Sequence, residues 1–352
     1  MWPFAEGEVF LRNQWYVAAW SSEVGAEHPM ERWICGQPVV FFRDEAGKAI
    51  ALHGRCPHRN FPLAKGRICG NVIECGYHGF QYGEDGRCVR IPSQDTIPDV
   101  MRVPAYPVVE KWQWIWIWVG DPALADADLI PDHDEIRLTE PGWHAVPALT
   151  NLLHGRAQIL HENLTDISHL SYLHQGTIGT DSVARTPVEI SENESFLRGL
   201  RLIKNEKLTG FFKEALGTEG PLDREVLIDF YPPNLHVARE KFIAPDGEVV
   251  AQYRVCHAVT PATATSTNYL VAWSRTFERD NEDITNTINS VFSAIIDEDI
   301  DAIEAVEKII AGEERPRERL VNADAHALQC RRIMKKLFAE QAESNVATAS
   351  AK

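Results

Sequence analysis

Long hydrophobic runs are scarce in this sequence of 352 residues. The longest, WIWIWV at positions 114–119, falls far short of the roughly 20 apolar residues that a membrane-spanning helix needs, so no membrane protein is expected. Positive charge is also in deficit. Lysine and arginine number 35 against 51 acidic residues, a formal charge of −16. Such a surface repels phosphates, which argues against nucleic acid as the main partner. The opening stretch MWPFAEGEVFLRNQWYVAAW lacks a basic start, a long apolar stretch and a small-residue cleavage site. No secretory signal is therefore expected, and the expected setting is the reducing cytoplasm. There, the seven cysteines (35, 56, 69, 75, 88, 256 and 330) are not expected to form a disulfide framework, and most should pack as small hydrophobes. No internal repeat is present.

The first third is rich in short β signals. QPVVFFRDEAGKAIALHGRC reads as a hairpin turning at Asp44–Gly47, and GFQYGEDGRCVRIP as another turning at Gly83–Gly86. KWQWIWIWVGDP alternates, with Trp112, Trp114, Trp116 and Trp118 on one face and Ile115, Ile117 and Val119 on the other. Both faces are apolar, so this strand should be covered on both sides. Residues 120–143 are acidic and proline-bearing, as a connection would be. Beyond them, 151–174 reads mainly as helix, strands are expected near 223–231, 235–243, 249–260 and 266–278, and a long helix runs from about 283 to the Gly312 stop signal. A last helix is expected over 323–341. The expected fold class is α+β, with a β-rich domain over 1–122, a larger α+β domain over 123–341 and a flexible tail over 342–352.

Two motifs carry chemistry. GRCPHRNF and ECGYHGF together give Cys56-x-His58, sixteen intervening residues, then Cys75-x-x-His78. Two thiolates and two imidazoles would suit tetrahedral zinc, but zinc fingers usually pair like with like on each knuckle. Here each loop carries one cysteine and one histidine. A [2Fe–2S] centre with two thiolates on one iron and two imidazoles on the other needs that order, because each of two facing loops then reaches both irons. Pro57 stiffens one loop, and Gly76 and Gly79 should let backbone N–H groups approach the sulfurs.

Such a centre moves single electrons and does no substrate chemistry alone. HENLTDISHLSYLH, 161–174, sets Asn163, Asp166 and His169 three apart, with His174 five further on. The two histidines are candidate ligands of one iron that needs a carboxylate to complete the set. A merely polar helix fits the same pattern. In the long helix the apolar stripe runs Ile284, Ile288, Val291, Phe292, Ile295, Ile303 and Val306, and Asp299 occupies the position that completes it. Asp297 and Asp301 should face solvent. A carboxylate on the buried face needs a strong partner, either a metal ion or a buried arginine.

Taken together, these residues resemble the oxygenase components of Rieske non-haem iron oxygenases. The Rieske signature is matched at Cys56, Pro57, His58, Arg59, Cys75, Tyr77, His78 and Gly79, and the second motif at Asn163, Asp166, His169 and His174 with Asp299 downstream. Size and the stretches FLRNQWYVAAW, IWIWVGDPALAD and ADAHALQCRRI are most similar to the vanillate O-demethylase and dicamba monooxygenase branch. The resemblance implies a Rieske β domain, a helix-grip catalytic domain and a homotrimer. It implies a Rieske [2Fe–2S] cluster held by Cys56, His58, Cys75 and His78, and a mononuclear Fe(II) held by His169, His174 and Asp299, with Asn163 nearby. Asp166 would bridge to His78 of a neighbouring subunit. Electrons would come from an NAD(P)H-dependent reductase, directly or through a ferredoxin, and O₂ would be used to monooxygenate a substituted aromatic acid. His257, before a Thr-Pro turn in YRVCHAVTP, is a candidate contact for the substrate carboxylate; a buried structural histidine fits equally. Among related activities, cis-dihydroxylation is the alternative outcome. From other classes, a Rieske electron carrier accounts for the first motif alone, and a lipid-binding helix-grip protein for the second domain alone.

Overall fold

The computed structural model describes residues 3, 9–131, 138, 140–208, 210–313 and 316–350. They divide into two compact units, one of residues 10–130 with 260–264, the other mainly of 131–259 and 265 onward. Of the expected connection over 120–143, residues 132–137 and 139 lie outside the described ones.

The first unit is built from strands β1 (Gln14–Trp20), β2 (Met30–Ile34), β3 (Gln37–Arg43), β4 (Ala49–His53), β5 (Arg67–Cys69), β6 (Val72–Glu74), β7 (Gln81–Tyr82), β8 (Cys88–Arg90), β9 (Ala105–Tyr106), β10 (Val108–Lys111) and β11 (Trp114–Val119). They form sheets of order β1-β11-β10, β2-β3-β4-β9 and β5-β6-β7-β8. Successive side chains of a strand point to opposite faces, and β3 uses both. Val39 and Phe41 enter a core with Tyr16, Ile115 and Ile117, while Val40 and Phe42 enter a second core with Leu52, Ile73 and Tyr82. That second core closes around Cys56 and Cys75. All six residues of β11 are buried, as double coverage requires. Trp112 is not on its tryptophan face: Trp112 and Gln113 have φ of 55° and 73° and turn the chain from β10 into β11.

The second unit contains β12 (His144–Leu153), α1 (Ala157–Thr165), α2 (Asp181–Arg185), β13 (Glu189–Glu192), β14 (Leu197–Glu206), α3 (Gly210–Leu216), β15 (Leu222–Tyr231), β16 (Leu235–Ile243), β17 (Val249–Thr263), β18 (Ser266–Arg275), α4 (Glu282–Ile310) and α5 (Ala325–Ser350). Its sheet has the order β12-β18-β17-β16-β15-β14-β13. Ile288, Phe292, Ile295, Ile296 and Ile303 of α4 join the core that Val255, Val259, Tyr269, Val271 and Trp273 contribute from the sheet, so the long helix packs across it. A buried ion pair keeps α1 and α4 in register: Arg156 donates through Nε and Nη2 to the two oxygens of Glu307, both at 2.7 Å.

Three further expectations are corrected. Residues 151–174 are not one helix, because 151–153 belong to β12 and α1 ends at Thr165. There the Asp166 side chain accepts from Ser168 N–H and caps a short 3-10 helix over 167–171. The buried face of α4 continues through Glu307 rather than Val306, which is exposed, because Arg156 neutralises the glutamate. The tail expected from residue 342 is helical through Ser350. No glycine or proline interrupts 325–350, and alanine recurs, which favours helix. Residues 351 and 352 lie outside the described ones.

Candidate metal centres and the cavity between strands and helix

The first site is formed by two loops of one design. Cys56 is the third residue after β4, and Cys75 follows β6 directly. In each, the cysteine N–H donates to a phenylalanine carbonyl five residues on: Cys56 to Phe61 at 3.0 Å, Cys75 to Phe80 at 2.7 Å. The cysteine carbonyl accepts from the residue four on, Asn60 at 2.9 Å and Gly79 at 3.0 Å. That residue is left-handed in both loops, with φ of 57° at Asn60 and 73° at Gly79, where glycine and asparagine are tolerated best. Gly76 has a different use: a Cβ there would lie 2.7 Å from the Lys65 carbonyl. The amides aimed at the Cys75 sulfur are those of Tyr77 and His78. Burial pushes this thiol up, and the two N–H donors oppose the shift.

Both cysteines are buried and both histidines exposed. The imidazoles of His58 and His78 lie edge to face with centroids 4.5 Å apart, and His58 stacks on Phe80. The Cys56 sulfur is 3.2 Å from the Tyr82 hydroxyl. Thiols inside and imidazoles outside is the division that suits a two-iron cluster with one ligand type on each iron.

The second site does converge. Ligand atoms of His169, His174 and Asp299 lie within 4.8 Å of one another. Asp299 Oδ1 is 3.5 Å from His169 Nε2 and 3.2 Å from His174 Nε2. Such spacings match neighbouring positions in a shell whose bonds are about 2.1 Å. The other ring nitrogens are engaged. His169 Nδ1 is 2.6 Å from the Asp166 carbonyl oxygen, and His174 Nδ1 is 2.6 Å from Glu298 Oε2. Each acceptor holds the proton on Nδ1 and leaves Nε2 as the basic atom, as metal-binding histidines require. Asn163 Nδ2 donates to Asp299 Oδ1 at 3.0 Å. Burial opposes ionisation of Asp299, but the adjacent imidazoles of His174 and His169 and the Asn163 amide together hold its carboxyl below the ordinary value. No arginine is among these partners. Two histidines and a carboxylate on one side of a cavity fit a 2-His-1-carboxylate iron. Asp297 and Asp301 are exposed.

The cavity beside this cluster contains about 710 Å³ of empty space, its mouth included. Its walls are mostly apolar, with Leu164, Ile228, Ala238, Val255, Phe292 and Ile295 among them. His257 lines it, with Nδ1 2.7 Å from the Tyr269 hydroxyl; burial pushes this imidazole down to about 4. His236, which the sequence reading passed over, lies directly opposite His257 in the β16–β17 register. Its Nε2 is 2.8 Å from His161 Nδ1, and its buried Nδ1 has no partner among the described residues. Glu298 was also missed: nothing in an acidic run such as DEDID marks the member that reaches a histidine 124 positions earlier.

Comparison with known proteins agrees with both halves. Residues 14–107 match the Rieske [2Fe-2S] domain family and residues 153–340 the family described as the vanillate O-demethylase oxygenase C-terminal domain. The iron–sulfur subunit TsaM1 of the toluene-4-sulfonate monooxygenase system of Comamonas testosteroni is 35% identical, over 86% of this chain and 90% of that protein. The oxygenase component of dicamba O-demethylase from Stenotrophomonas maltophilia is 32% identical, over 95% of this chain and 99% of that one. The crystal structure of dicamba monooxygenase bound to dicamba superposes with a TM-score of 0.87 at 30% identity, covering 96% of this chain and 100% of that one.

Proposed function

We propose a function on one premise: this chain belongs to the Rieske non-haem iron oxygenases, in the vanillate O-demethylase branch. As an oxygenase of this family it carries a Rieske [2Fe–2S] cluster and a mononuclear iron. In our reading Cys56 and Cys75 hold one iron of the cluster, His58 and His78 the other, and His169, His174 and Asp299 the mononuclear iron. The reading is supported above all by the convergence of those last three side chains beside an apolar cavity. When bound, the cluster delivers electrons singly and the iron turns O₂ against a substrate C–H bond.

The substrate we propose is a substituted aromatic acid, monooxygenated by hydroxylation. Where a methoxy carbon is attacked, the hydroxymethyl ether formed loses formaldehyde and leaves a phenol. Ile228, Ala238 and Val255 offer the ring a flat apolar wall and exclude water. His257 and His236 offer the acid group hydrogen bonds from buried imidazoles. The unpartnered His236 Nδ1 supports this, because a buried polar atom costs stability until a ligand satisfies it. Asn163 positions Asp299. Asp166 is the link to His78 of a neighbouring copy in a homotrimer, and electrons come from a separate reductase or ferredoxin driven by NAD(P)H. We place the enzyme in the cytoplasm; in support, no disulfide joins its seven cysteines, all of them among the described residues.

The test is oxygen uptake with a reductase across a panel of aromatic acids, with products identified and iron counted. Three irons per chain, two of them in the cluster, together with uptake that requires an acid group on the ring, are expected. Two irons and no substrate-dependent uptake would indicate an electron carrier instead, and a cis-diol product would reassign the reaction as dihydroxylation.

A further inference from the structure

His174 is gripped at both ring nitrogens by neighbouring residues of one helix. Nε2 lies 3.2 Å from Asp299 Oδ1 and Nδ1 2.6 Å from Glu298 Oε2. Successive helical residues diverge by about 100°, so two adjacent carboxylates cannot share one face. Asp299 turns into the buried cluster, while the Glu298 side chain, 41% exposed, reaches round to the opposite edge of the imidazole. His169 is supported differently, by the backbone carbonyl of Asp166. The two imidazoles therefore differ in one respect that mutation can reach: only His174 depends on a side chain for its tautomer and ring plane.

We propose that Glu298 is a positioning residue for the mononuclear metal site. Its carboxylate accepts the His174 Nδ1 proton, keeps Nε2 free of hydrogen and holds the ring plane so that this atom and Asp299 Oδ1 address the same point. The inference rests on the reading of His169, His174 and Asp299 as ligands, and neighbouring Asp297, exposed on the same helix, provides an internal control for charge.

The test is Co(II) binding to the full-length protein, with its cluster in place and oxidised and its mononuclear iron removed by chelation. Calorimetry reads affinity, and the Co(II) EPR signal reads ligand geometry. Glu298→Ala should weaken binding about 10–100-fold, the usual effect of losing an outer partner of a metal-bound histidine, and alter the EPR line shape. Glu298→Gln should stay near wild type in both, because an amide oxygen accepts the same N–H. Asp297→Ala should bind as wild type does. Alanine suits a half-exposed helical site, and the urea unfolding transition of the second unit, followed by far-UV circular dichroism, checks that each variant is folded. Wild-type binding by Glu298→Ala overturns the proposal. So does a Gln variant as weak as Ala, or an equal loss in Asp297→Ala, since either would make the effect one of charge. If His174→Ala also binds like wild type, the ligand reading itself is wrong, and that outcome is distinguishable from the others.

Discussion

Tyr82 is fully buried, with its hydroxyl 3.2 Å from the Cys56 sulfur. A hydrogen bond to a cluster sulfur favours the reduced, more negative state. Tyr82→Phe is therefore expected to lower the midpoint potential of the Rieske centre without loss of cluster, as spectroelectrochemistry can measure; an unchanged potential would show that the hydroxyl points its proton elsewhere. Asp166 invites a second test. Its side chain accepts from Ser168 N–H, and its backbone carbonyl, not its carboxylate, meets His169. Asparagine caps a helix as well as aspartate and leaves the carbonyl in place. Asp166→Asn should accordingly keep both metal centres and still accept electrons, yet lose turnover if the carboxylate links neighbouring copies. Rapid mixing with substrate and O₂ reads this as slowed reoxidation of the cluster; wild-type rates would reduce Asp166 to a cap.

Helix α4 carries the next prediction, because its phase sorts three aspartates within five residues. Asp299→Ala should lose the mononuclear iron and all product while the Rieske spectrum survives, whereas Asp297→Ala and Asp301→Ala, both at exposed positions, should be nearly silent. Iron analysis per chain separates these outcomes, and loss of iron from Asp297→Ala instead would contradict the helix phase. That phase could be read from the sequence because Ile288, Phe292, Ile295 and Ile303 recur at the helical period around Asp299. The end of the stripe could not: whether Val306 or Glu307 is buried is decided by Arg156, 151 residues away. The same limit hid His236, whose partner His161 is 75 residues distant, and Glu298. Strand β14 was missed for another reason. Its sequence LRGLRLIKNE buries Arg201 and Glu206 beside leucines, which dilutes the alternation that marks a strand. The Cys-x-His and Cys-x-x-His loops were readable because their geometry is local: each closes on its own hydrogen bonds within six residues.

The histidines buried away from the metal ligands give the chain a defined acid sensitivity. Burial pushes His161 down to about 3 and His326 down to about 4. Unfolded, each would titrate near 6.5, so between that value and the folded one the unfolded chain binds more protons. Stability from these groups is complete above about pH 6.5 and falls as pH drops towards 4, at roughly 1.4 kcal/mol per pH unit for each histidine. Urea midpoints of the second unit's unfolding transition should be flat above neutrality and fall below it. His326→Gln should shallow that slope, and an unchanged slope would exclude His326 as a contributor. The division of labour within this unit has a consequence for how its selectivity can be altered. The proposed iron ligands stand on the 167–174 segment and on α4, which also gives Phe292 and Ile295 to the cavity wall, whereas Val226, Ile228, Ala238 and Val255 line it from β15, β16 and β17. Divergence of specificity can thus proceed by drift in the sheet while the helical scaffold of the metal stays under purifying constraint. A directed-evolution library confined to those four strand positions would sample new ring substituents on an inherited, undisturbed reaction centre.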